Sequence, residues 1–100
     1  MTYQELEKAV EQWAEEKGIL DRATPLAQGH KTLEEALELA EAVRVDDRAE
    51  IADALGDILV TIIIQAKMQG MGLTECLQGA YNIIAKRKGA MVNGTFVKEA

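Results

Sequence analysis

Apolar residues in this chain recur mainly at three- and four-residue intervals, the spacing of one face of a helix rather than of a strand. Thr2 and Glu5 have the spacing of a capping box. Leu6, Ala9, Val10, Trp13 and Ala14 continue at helical intervals until Lys17 and Gly18, which predicts a first helix over about 2–17. The stretch 19–31 contains the only proline, Pro25, with Asp21, Thr24 and Gly29, and reads as a surface connector. From Thr32, the residues Leu33, Ala36, Leu37, Ala40 and Val43 form one apolar stripe, predicting a second helix over about 32–43 that buries this stripe. After a turn with Asp46 and Asp47, a third helix over about 47–68 takes Asp47 as its N-cap. It is apolar almost all round between Ile58 and Ile64, the pattern of a central, buried helix. Gly70 and Gly72 break the chain. A fourth helix over about 74–88 follows, with Thr74 as its cap, Leu77, Ala80, Ile83 and Ile84 inward and Gly89 at its end. In the remainder, 89–100, Asn93 and Gly94 separate two short apolar runs, which suits a tight hairpin or an extended arm.

Four helices in 100 residues, with 4% aromatic content and an apolar set dominated by Ala, Leu, Ile and Val, predict one all-α domain spanning 1–100. The balance of 17 acids against 11 bases, a net charge of −6, excludes binding to nucleic acid or an anionic membrane through bulk charge. An anionic substrate would need metal ions as intermediaries. Cys76 is the only cysteine, so an internal disulfide and a cysteine-based zinc cluster are excluded; its neighbours Leu73 and Leu77 suggest burial. The N-terminus alternates charged and apolar residues, unlike a secretory leader. The apolar stretch 58–64, interrupted by Thr61, is too short to cross a bilayer, and a cytoplasmic location is expected.

The acids of the two middle helices change the picture from fold to chemistry. Glu50, Asp53 and Asp57 fall on one side of the third helix, and the same stripe continues as Val60, Ile64 and Met68. An acidic face that turns apolar within a turn points into a partly covered cavity, where uncompensated carboxylates repel. Glu35 and Glu38 offer a matching pair on the second helix. Carboxylates without His or Cys make a hard-oxygen site for Mg²⁺ or Mn²⁺. The plainer reading is a solvated face or a cap: Glu50 follows Asp47, and Glu35 follows Thr32, at capping-box spacing. Asp53 and Asp57 lack that explanation, lying well inside a helix beside Gly56, where Asp and Gly are poor formers.

Read together, KTLEEALEL (31–39) and EIADALGDILV (50–60) resemble the paired motifs of the MazG-like nucleoside triphosphate pyrophosphohydrolases, EExxE followed after a gap by ExxD. Gln28 and Lys31 stand ahead of the acids as in small phage-type and bacterial members, and the ending YNIIAKRKGAMVNGTFVKE is similar to theirs, so the likeness spans almost the whole chain. The resemblance implies an all-α, four-helix fold assembled as a homodimer or dimer of dimers. It implies cleavage of a nucleoside triphosphate between its α and β phosphates, with Mg²⁺ as the usual metal. By resemblance Glu35 and Glu38 match the first acidic pair, and Asp57 matches the aspartate closing the second motif. The chain departs from the pattern three residues before Asp57, where Ala54 replaces the expected Glu. Either Asp53 or the literal Glu50–Asp53 pair completes the metal set.

The remaining candidates follow from the needs of phosphoanhydride hydrolysis: neutralised phosphates, an activated water and in-line placement. Glu34, or Glu38 in a shared role, is the candidate base, although a solvated Glu explains Glu34 as well. Lys86 and Arg87, with Lys88, suit the dipole at a helix end, and the resemblance adds a phosphate-binding reading for Asn82, Lys86 and Arg87, and for Gln28 and Lys31. Trp13 reads as core or subunit interface. Two alternatives stand beside the main one: a phosphoribosyl-ATP pyrophosphohydrolase, which shares the fold and the bond cut, and a non-catalytic helical dimerisation module that would show no metal dependence.

Overall fold

The computed structural model describes residues 1–100. Five helices and a terminal hairpin follow in order: α1 Tyr3–Glu16, α2 Ile19–Arg22, α3 Pro25–Arg44, α4 Arg48–Met68, α5 Leu73–Ile84, β1 Gly89–Val92 and β2 Thr95–Lys98. The capping box at the start of α1 is complete: Glu5 N–H donates to Thr2 Oγ1 at 3.2 Å, and Thr2 N–H donates to Glu5 Oε1 at 3.0 Å. Gly18, at φ 76°, then turns the chain into α2.

The connector expected over 19–31 is mostly helix. Thr24 Oγ1 accepts from Ala27 N–H at 3.1 Å, and Pro25 occupies the first turn of α3. There its missing N–H is no loss, because that donor would have no partner in the helix anyway. α3 thus begins seven residues before the expected Thr32, and Thr32 and Glu35 lie in its interior rather than at a cap.

A second correction concerns which face of α3 is covered. The stripe expected to be buried is open, with Leu33 58% and Leu37 64% exposed and Val43 likewise exposed. The covered face carries Gln28, Glu35 and Ala42, with Thr32 and Leu39 half-buried. This covered face packs on α4, which is the central helix as expected and also receives α1 and α2. α3 and α4 run antiparallel, joined by residues 45–47: Gln65 Nε2 donates to the Pro25 carbonyl at 2.9 Å, and further along Gln28 Nε2 donates to the Thr61 carbonyl at 3.3 Å.

α5 starts from Gly72 without a side-chain cap, so Thr74 does not cap it, and it ends at Ile84, four residues before the expected 88. Only its first turns reach the helical body, around an apolar groove of about 460 Å³ between Tyr3, Leu59, Ile62 and Leu73, Thr74, Leu77. Cys76 is exposed, against the expected burial. The hairpin forms at Asn93 and Gly94, both at positive φ (50° and 80°), as a primed turn requires, and pairs Ala90 with Val97 and Met91 with Phe96. Every residue from Thr74 onward is exposed.

The buried apolar core consists of Ala14, Ala42, Ala54, Ile63, Ile64 and Ala66. The Cα radius of gyration is 15.8 Å, against roughly 13 Å for a compact domain of this length. One copy therefore leaves much apolar surface open. No helix is long and apolar enough to cross a membrane.

Candidate metal and phosphate site

The antiparallel register that sets Gln28 and Thr32 beside Thr61 brings the next turn of α3, with Glu35, towards the preceding turn of α4, with Asp57. Glu35 is only 8% exposed. Its Oε1 lies 3.7 Å from Lys31 Nζ, whereas Oε2 is buried and has no hydrogen-bond partner. Burial is the largest influence on its carboxyl, raising the pKa above the usual carboxylate range; Glu38 and Glu34 push in the same direction and Lys31 opposes them. Asp57 is raised in the same way, first by desolvation, then by Asp53 and Glu35, again with Lys31 opposing. Glu35, Glu38, Asp53 and Asp57 therefore sense one another across the α3–α4 seam, and Lys31 is the cation that offsets them.

These acids do not close on one point: no three His, Cys, Asp or Glu side chains converge closely enough to hold an ion. Glu38, Asp53 and Asp57 are exposed. The donor set nevertheless suits a hard divalent cation. It is all carboxylate oxygen, and Glu35 Oε2 is a buried acceptor lacking a donor, an arrangement that costs free energy until something positive meets it.

The other candidates fall into three places. Lys31 and Glu34 join the acid seam, Lys31 Nζ standing 3.6 Å from Glu34 Oε2, with Glu34 exposed. Glu50 lies a turn away and lines, with Glu38, Glu41 and Asp47, an open depression of about 340 Å³. Asp47 does cap α4 by accepting from Glu50 N–H at 3.1 Å, but no reciprocal bond from the Glu50 side chain forms, so capping does not account for that carboxylate. Asn82 lies on α5, where its Oδ1 accepts from Gln78 Nε2 at 3.0 Å. Lys86 and Arg87 lie in the turn beyond α5 instead of closing it. Since α5 packs little against the body, one chain does not bring Asn82, Lys86 or Arg87 onto the acids.

Gln28, expected among the phosphate contacts, is 7% exposed and spends its amide on the Thr61 carbonyl. Its place is in the helix interface. Sequence reasoning missed the polar partners it meets there, Thr32 and Thr61; the one available signal was a threonine interrupting the apolar run of α4.

The model of the MazG nucleotide pyrophosphohydrolase domain matches residues 23–91, which include both acidic helices, α5 and most of the first strand. The chain belongs to the MazG family. Nucleotide pyrophosphohydrolase chemistry is the activity that family membership implies, and the mostly helical fold agrees with that of the MazG domain. An uncharacterized 18.2 kDa protein of the rep-hol intergenic region of Haemophilus phage HP1 is 39% identical over 64 residues. That match spans 64% of this chain but only 39% of the phage protein. No solved structure matches the chain.

Proposed function

We propose that this MazG domain hydrolyses a nucleoside triphosphate between its α and β phosphates, in a Mg²⁺-dependent reaction that yields the nucleoside monophosphate and pyrophosphate. The observation carrying this reading is the buried, unpartnered Oε2 of Glu35 beside Asp57, in a chain whose family cleaves nucleotide phosphoanhydrides. Glu35, Glu38, Asp53 and Asp57 hold the metal, with Glu50 as an outlying ligand, and Mn²⁺ substitutes for Mg²⁺. Such an ion, when bound, neutralises phosphate charge and makes a coordinated water more acidic. Glu38, or Glu34 at the rim, accepts the proton of the attacking water. Lys31 orients the Glu35 carboxylate from one side and is the cation nearest to the incoming phosphates.

Asn82, Lys86 and Arg87 bind the triphosphate, and we assign them to a second copy of the chain. Sixteen of the 17 acids and seven of the 11 bases precede Ala85, a net charge of −9. Beyond it Lys86, Arg87, Lys88 and Lys98 face only Glu99, a net charge of +3. A homodimer, or a tetramer built from two, covers the open Leu33–Leu37 face of α3 and brings the basic tail of one copy to the acidic seam of another. The unpartnered apolar face of α5 supports this assembly: a helix of 12 residues is marginal in water without packing.

The test is pyrophosphate release from a panel of standard and modified nucleoside triphosphates, with and without Mg²⁺, for wild type, Glu38→Gln and Asp57→Asn. Turnover unchanged in both variants would sink the site assignment. The open apolar surface also favours the non-catalytic module, which is identified by self-association with no triphosphate cleaved and no response to EDTA.

A further inference from the structure

We infer that Thr61, together with Thr32 and Gln28, is a positioning element that fixes the register of α3 along α4 and so holds Glu35 opposite Asp57. Thr61 is 4% exposed, within the most apolar stretch of the chain. Its hydroxyl donates to the Ile58 carbonyl at 2.7 Å and accepts from Thr32 Oγ1 at 2.9 Å, while its carbonyl accepts from Gln28 Nε2 at 3.3 Å. With its one proton given to Thr61, Thr32 Oγ1 also stands 3.2 Å from the Gln28 carbonyl, a second acceptor in reach. Three residues from two helices thus close one buried polar relay.

Outside the relay, the one other directional bond across the seam is the exposed one from Gln65 Nε2 to the Pro25 carbonyl, at the far end of α3. Apart from Glu35 and the relay, the residues buried on α3 and α4 are apolar, Ala42 and Ala54 among them, and apolar contacts alone tolerate rotation or sliding because they are non-directional. Hydrogen bonds are directional, and a slip would leave buried hydroxyl and amide groups unpaired. Single buried polar residues fix register in helical pairs in the same way. The relay sits one turn from the acids on each helix, since Thr61 follows Asp57 by four residues and Thr32 precedes Glu35 by three. A slip of one turn, about 5.4 Å, would carry Glu35 away from Asp57.

The functional consequence rests on the metal reading above; the register itself does not. The experiment measures Mn²⁺ binding by electron paramagnetic resonance, and melting temperature, for the full chain and for Thr61→Val, Thr61→Ser and Thr32→Val. Thr61→Val is expected to weaken Mn²⁺ binding about tenfold or more, with Thr61→Ser restoring most of it. Thr32→Val, which spares the Thr61–Ile58 bond, gives the same direction if Thr61→Val does not fold. Mn²⁺ affinity equal to wild type in a folded Thr61→Val or Thr32→Val protein, with only melting temperature lowered, overturns the inference. If wild type binds no Mn²⁺, the metal reading fails by itself, and the register is judged by nuclear magnetic resonance of Thr32→Val. Displaced Glu35 and Asp57 amide resonances support the relay, and unmoved ones refute it.

Discussion

Replacing Glu35 by Gln should stabilise the metal-free protein and abolish its stabilisation by Mg²⁺. The side chain is nearly isosteric, so packing against α4 is kept while the charge is removed. The same burial and the same neighbours, Glu38 and Glu34, that raise the carboxyl's pKa make its ionised form costly at neutral pH. In EDTA the variant should therefore melt above wild type. With metal the order reverses. A cation that binds only the folded state at ten times its dissociation constant contributes RT ln 11, about 1.4 kcal/mol, which for a domain of this size raises the melting temperature by about 6–11 °C. Wild type should show this rise on addition of Mg²⁺ and Glu35→Gln should not. Differential scanning fluorimetry with and without EDTA, at fixed protein concentration, measures both. A Glu35→Gln protein that melts below wild type in EDTA and still gains the full rise from Mg²⁺ refutes the reasoning on both counts.

Four further outcomes are expected. Because Glu35 and Asp57 titrate above their unfolded values, the folded state binds more protons than the unfolded state between the two. The metal-free protein should lose stability as pH rises from the ordinary carboxylate range through these raised values, and a Glu35→Gln/Asp57→Asn protein should lose less in the same melting series. Mixing Lys86→Ala/Arg87→Ala chains with Asp57→Asn chains should recover activity in a pyrophosphate-release assay, because a hybrid dimer restores one intact site only if acids and bases come from different copies. Leu37→Asp, on the open face of α3, should shift sedimentation velocity towards the monomer while leaving helical circular dichroism largely intact. Asp46→Gly should raise stability by about 1 kcal/mol in urea unfolding, since Asp46 sits at φ 53°, a conformation that costs a side-chain-bearing residue about 1–2 kcal/mol.

What could be read from the sequence and what could not divide along physical lines. The Thr2–Glu5 box and the Asn93–Gly94 turn were legible because each is set by a few adjacent residues whose chemistry has one good local solution. The start of α3 was not: Pro25 breaks a helix in its interior but opens one in its first turn, and only the Thr24 cap behind it tells the two apart. The rotation of α3 was misread for a different reason. Apolar stripes face inward in a chain that closes its own core, and the Leu33–Leu37 stripe here stays open. Acid spacing singled out Glu35 and Asp57, and the antiparallel packing of α3 on α4 sets them close enough for Glu35 to raise the Asp57 pKa. The link from Thr32 to Thr61 left almost no trace, since a helical threonine looks the same whether it bonds across an interface or to its own backbone.

The short turn between α3 and α4 has a kinetic meaning as well. Only residues 45–47 separate the helices that carry the acids, so the loop that must close to bring Glu35 to Asp57 is short and its entropic cost small. Contacts of this local kind form early in folding. In the proposed two-copy site, the acidic half is thus built into each chain before any encounter between copies, whereas the basic tail waits for one. Dilution should therefore take away substrate binding before it takes away the metal site.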